Sequence, residues 1–136
     1  MRPKSPTLTE QELEIMKVIW DRESATVRDV YEALLERRKI AYTTVMTMMN
    51  ILEQKGHLQK AQEDRAYVYR SSRTRQQVIR GMVREFVNRV FNGSAEPLLL
   101  HLVEDEALSE ADLDEVRAMV RKANRKEGAN DRNRPS

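Results

Sequence analysis

The sequence predicts a mainly α fold. A winged helix-turn-helix, made of three helices and a β-hairpin wing, is followed by a three-helix C-terminal dimerisation segment. Three observations carry that reading. Only four glycines and four prolines occur in 136 residues, while the helix formers Leu, Met, Ala, Arg and Glu are abundant. Three stretches with apolar residues at helical spacing follow one another within the first 55 residues. The period then turns to alternation in Ala66-Tyr67-Val68-Tyr69-Arg70, the pattern of a strand.

The elements follow in order. Thr9-x-x-Glu12 has the form of a capping box, and the helix after it places Leu13, Met16, Ile19 and Trp20 on one face. Thr26 is the expected N-cap of a second helix, with Asp29 in its first turn and Val27, Val30, Tyr31, Leu34 and Leu35 as its stripe. Arg37-Arg38-Lys39 closes it, where cations favour the C-terminal dipole. A third helix, from about Thr43 to Lys55, stops at Gly56, a residue suited to the left-handed position after a helix. Strands over Leu58–Gln62 and Ala66–Arg70 are joined by Glu63-Asp64-Arg65. A fourth helix spans about Arg75 to Asn92, a short fifth contains Leu98 to Val103, and a sixth opens at Ser109-x-x-Asp112. The expected layout is a winged-helix domain at 7–72, a helical dimerisation domain at 73–123 and a disordered tail at 124–136, where periodicity ends.

Charge looks at first unfavourable to nucleic-acid binding. Twenty-four Lys and Arg face 22 Asp and Glu, a formal net of +2. Resolved along the chain, residues 37–75 carry nine basic side chains against Glu53, Glu63 and Asp64, a net of +6. Residues 96–115 carry eight acids and no base. A local basic stretch can supply the salt-sensitive part of DNA affinity. There is no cysteine, which excludes disulfides, thiolate metal sites and cysteine nucleophiles. His57 and His101, the only histidines, have no ligand set nearby in sequence, so no metal or other cofactor is expected. No glycine-rich phosphate loop and no histidine beside a nucleophile are present, and no catalytic residue or small-molecule substrate is expected. The first residues lack an apolar signal core and no stretch reaches the roughly 18 apolar residues of a membrane span, so a cytoplasmic protein is expected.

The third helix carries the functional signal. Val45, Met48, Met49 and Leu52 share a core face, and Thr43, Thr44, Thr47, Asn50 and Gln54 fall opposite. A small, uncharged polar face suits a major groove, where hydroxyls bond base edges or phosphates and threonine methyls meet the thymine methyl. Tyr42, Thr43, Thr44, Thr47 and Asn50 are therefore the candidate DNA-reading residues, with Arg65 at the wing turn reaching phosphate or the minor groove. The competing reading of the threonines is a well-capped solvated face, and of Arg65 an exposed turn residue. Arg70, Arg73 and Arg75 are weaker candidates. Ile51 is apolar on the outer side, with a sugar, a thymine methyl and the wing as its possible contacts.

The C-terminal helices are too few to bury a large core alone. Their wide stripes point to burial against a second copy, with Val83, Phe86, Val87, Val90, Leu99, Leu100, Leu102, Val116 and Val120 as candidate interface residues. Folding back onto the winged helix is the alternative. A two-fold dimer would offer two reading helices to a palindromic, double-stranded DNA operator. A winged helix serving as a protein–protein interaction module, or a transcription regulator with a different inducer, is the competing function.

Several separate segments carry a family resemblance. Leu8-Thr9-x-x-Glu12-x-x-Ile15-Met16-x-x-Ile19-Trp20, Ala25-Thr26-Val27-Arg28-Asp29-Val30 and Ala41-Tyr42-Thr43-Thr44-Val45-Met46-Thr47-Met48-Met49 resemble the penicillinase-repressor (BlaI/MecI) family of transcriptional regulators. Lys55-Gly56, Asp64-Arg65-Ala66-Tyr67-Val68-Tyr69, Phe91-Asn92-Gly93-Ser94, Leu102-Val103-Glu104 and Leu108-Ser109 continue it. The resemblance covers about residues 8–122. It implies a homodimeric winged-helix repressor of dyad operators, inactivated by proteolysis in a β-lactam circuit through a membrane sensor protease. It places Thr43, Thr44, Thr47 and Arg65 at DNA-contacting positions. The Asn-Phe cleavage bond of characterised members corresponds here to His101-Leu102, a departure that bears on cleavage specificity. Ile51 stands where an arginine is common. The related copper-responsive repressors carry a cysteine motif that this chain lacks.

Overall fold

The computed structural model describes residues 7–133. Its elements are α1 (Glu10–Arg22), α2 (Val27–Leu35), α3 (Tyr42–Gln54), β1 (Leu58–Glu63), β2 (Ala66–Ser71), α4 (Arg75–Phe91), α5 (Glu96–Glu104) and α6 (Glu110–Asn133). This is the winged helix-turn-helix order, three helices and a hairpin, followed by three more helices.

Both expected N-terminal caps form. Thr9 accepts from the Glu12 amide while the Glu12 carboxylate accepts from the Thr9 amide, and Thr26 and Asp29 do the same for α2. Each box satisfies two backbone donors that the helix itself leaves open. The helix α3 starts one residue earlier than the threonine run suggested, with Ala41 as an N-cap that offers no side-chain hydrogen bond. At its far end Gly56 takes φ +89°, and the His57 amide bonds back to the Leu52 carbonyl. Only a residue at ease in the left-handed region turns the chain this sharply into β1.

The strands β1 and β2 pair antiparallel in the register Leu58↔Ser71, Lys60↔Tyr69, Gln62↔Tyr67 and Glu63↔Ala66. Asp64, at φ +56°, begins the two-residue turn, and aspartate tolerates that region better than most residues. Directly opposed residues share a face. Leu58 and Tyr69 at the hairpin root are therefore buried on one side, while Lys60, Gln62 and Tyr67 continue the same side out toward the tip. Ala25 adds a further rung, exchanging backbone hydrogen bonds of 3.0 and 2.8 Å with Tyr69.

The chain divides into two compact units, one ending at Glu85 and the other starting at Phe86. The first extends beyond the boundary at 72 suggested by the sequence, because Val78 is buried in the winged-helix core and Met82 packs against it. That core consists of Ile15, Met16 and Ile19 of α1, Val30 and Leu34 of α2, Val45, Met49 and Leu52 of α3, and Leu58 and Tyr69 of the hairpin. A third capping box, Thr74 with Gln77, starts α4.

The second unit is sparse inside. Val87 is its single buried apolar side chain among the described residues, and α5 buries none. Phe86 and Phe91 meet edge to face at 5.8 Å. Ser109 and Asp112 form the capping box read from the sequence. The helix α6 continues past residue 123, where the sequence suggested that order ends. Ala123 and Arg125 are good helix formers and carry the helix past that point without an apolar stripe, and residues 134–136 of the expected tail lie outside the described residues.

Candidate nucleic-acid interface

The outward side of α3 is set by what its inward side buries. Val45, Met49 and Leu52 are wholly buried and Met48 is partly covered. Residues three and four apart share a helix face, so Thr43, Thr47 and Asn50 line up opposite, with Thr44 beside them, and all four are exposed. From Tyr42 to Leu52 the helix has no charged side chain. The three candidate threonines thus form one uncharged, hydroxyl-bearing surface, and its N-terminal end points free backbone amides outward.

Tyr42 borders this surface. It is 40% exposed, and its ring meets that of Tyr31 on α2 edge to face at 5.4 Å. Asn50 borders the wing: its Oδ1 accepts from the Tyr69 hydroxyl at 3.4 Å, a long hydrogen bond. Burial pushes the Tyr69 hydroxyl above the ordinary tyrosine value, with Lys60 opposing that rise and Glu53 adding to it. Arg65 is exposed at the hairpin turn. Ile51 is also exposed, at 38%, so it is not packed away under the wing.

Other cations differ in availability. Arg38 is held by Glu14 at 3.0 Å, and Arg70 lies on the opposite hairpin face, 3.2 Å from Glu63. Arg37 and Lys39 are exposed after α2. Three residues that the sequence did not single out border the same surface: Met46, Lys60 and Tyr67. The strand register was the available signal for the last two, since it puts them on the Tyr69 side of the hairpin.

Of the nine residues expected at a dimer interface, eight are exposed. Val83, Phe86, Val90, Leu99, Leu100, Leu102, Val116 and Val120 range from 38% to 56% exposure, whereas Val87 is 8% exposed and packed within its own chain. The His101-Leu102 pair lies on α5 with both side chains exposed. His101 is 6.0 Å from the Phe91 ring and its Nδ1 is 4.0 Å from Glu104.

The chain thus joins a winged helix with an uncharged, exposed α3 face to a helical extension that buries little. Residues 8–122 match the penicillinase repressor family. The chain belongs to that family. Its members are transcriptional repressors, not enzymes. The penicillinase repressor of Bacillus licheniformis is 31% identical over 113 residues, 83% of this chain and 88% of that protein. The transcriptional regulator BlaI of Mycobacterium tuberculosis is 38% identical over 111 residues, 80% of each chain. The methicillin resistance regulatory protein MecI of Staphylococcus aureus is 25% identical over 122 residues, 90% of this chain and 99% of its own. The match thus extends through α5 and about half of α6, beyond the winged helix.

Proposed function

We propose that this penicillinase-repressor family protein, a DNA-binding transcriptional repressor, binds a dyad operator as a homodimer. Each protomer presents the first turns of α3 to one half-site, with Tyr42, Thr43, Thr44, Thr47 and Asn50 at the bases and Arg65 at the adjacent backbone or minor groove. The observation that carries this reading is the uncharged polar face of α3, exposed opposite the buried Val45, Met49 and Leu52 and flanked by a hairpin with Arg65 exposed at its turn.

The homodimer is supported by the exposed apolar residues of α4, α5 and α6 and by how little the second unit buries. Two linked heads match two half-sites separated by whole helical turns. Proteolytic inactivation by a membrane sensor protease is the regulatory part of this proposal, with the exposed His101-Leu102 bond as its candidate site. No helix among the described residues is long and apolar enough to cross a membrane.

An electrophoretic shift on the promoter region of the protein's own gene, followed by footprinting, tests the proposal. The expected result is a protected region with two-fold symmetry, bound about a thousandfold more tightly than a scrambled duplex. Equal affinity for both duplexes would contradict operator recognition. A protein–protein module would bind neither.

A further inference from the structure

The notch between α3 and the wing holds a cation in an unusual setting. Lys60 Nζ lies 3.7 Å from Glu53 Oε1 in the last turn of α3 and 4.7 Å from the centre of the Tyr67 ring. The Lys60 and Glu53 side chains each keep 33% of their surface, and Tyr67 is 51% exposed. Tyr69 and Asn50 join the same hairpin face to the same helix. Glu53 is the only charged residue of α3.

A helix in a major groove about 12 Å wide has a sugar–phosphate strand on either side. A lysine rising beside the exposed face of α3 meets one of those strands, and the carboxylate next to it would be repelled. Exposed ion pairs of this kind are weak and exchange partners readily. The cation–π contact with Tyr67 keeps the ammonium in place while its carboxylate partner changes.

We propose that Lys60 is a phosphate-binding residue held in reserve by Glu53 and Tyr67. Off DNA, Glu53 neutralises the ammonium; on DNA, a backbone phosphate takes its place while the Tyr67 ring stays. Glu53 thereby lowers the affinity for DNA of any sequence. This rests on the reading of α3 as the DNA-facing helix.

The test is a set of anisotropy titrations of the full chain on a duplex from the promoter of its own gene, across a range of KCl concentrations. Wild type, Lys60→Gln, Lys60→Arg, Glu53→Gln and the Lys60→Gln, Glu53→Gln double variant are compared. Lys60→Gln is expected to weaken binding about threefold to tenfold. It should also reduce the slope of log affinity against log salt by about 0.9 per protomer, the signature of one lost phosphate contact. Lys60→Arg should restore the slope. Glu53→Gln should tighten binding about threefold, and that gain should shrink when Lys60 is absent. An unchanged slope in Lys60→Gln, even with weaker binding, would overturn the proposal and leave Lys60 a support of the wing. A Glu53→Gln gain independent of Lys60 would overturn it as well. Failure of the wild type to bind any duplex would instead overturn the DNA reading of α3.

Discussion

Glu12 shows how one residue serves two levels of structure. Its carboxylate closes the α1 capping box and also takes the Lys55 ammonium, at 2.8 and 3.0 Å, inside a nearly closed site. Burial pushes the Glu12 carboxyl up, but the Lys55 hydrogen bond, the Thr9 amide and the Lys55 charge outweigh it, and the group ends below its ordinary 4.5. A lowered folded value stabilises the fold above the ordinary carboxylate range, and that contribution fades as pH falls through the lowered value. Lys55→Met should therefore cost about 2–3 kcal/mol near neutral pH, because a buried carboxylate loses its partner. The cost should shrink once the carboxylate protonates. Urea melts at pH 7 and below pH 4 check this; an equal loss at both would show that the pair is not what Lys55 contributes. The capping role was legible, since Thr and Glu lie three residues apart. The ion pair was not, because its partner lies 43 residues away.

At the scale of elements, signals that act within one turn of chain are legible in the sequence, and those that depend on distant surfaces are not. Thr9, Thr26 and Ser109 announce their helices because a cap acts within four residues of chain. Thr26→Ala should lower stability by about 1 kcal/mol, seen as a lower denaturation midpoint with an unchanged slope. No shift would mean that α2 is held by packing alone. The Ala25–Tyr69 rung and the reach of the first unit to Glu85 were not legible. Both depend on which distant surfaces meet, and periodicity records only that a face is apolar. The same ambiguity affected Val87: its stripe position matched Val83 and Val90, yet it is covered by its own chain. On α3 the exposed polar side is legible from spacing, whereas the bond from Tyr69 to Asn50 needs the hairpin's register.

At the scale of the whole molecule, a net charge of +2 conceals a division of labour. The basic window runs from the end of α2 through the wing and the acidic window through α5 into α6, a distribution that would discourage DNA from approaching the helical extension. The exposed residues of that extension motivate Phe86→Asp and Leu100→Asp. Sedimentation should then show a folded monomer, with operator affinity reduced about a hundredfold or more as one head loses the other. A variant that stays dimeric would place the interface elsewhere.

If α3 reads sequence, the ratio of operator to scrambled-duplex affinity depends on its threonines. Fluorescence anisotropy at one fixed salt concentration would compare the wild type with a folded Thr44→Ala, Thr47→Ala variant. With base contacts made by these threonines, the ratio should fall by about tenfold to a hundredfold in the variant, while affinity for the scrambled duplex stays nearly unchanged. An unaltered ratio would contradict sequence reading by α3.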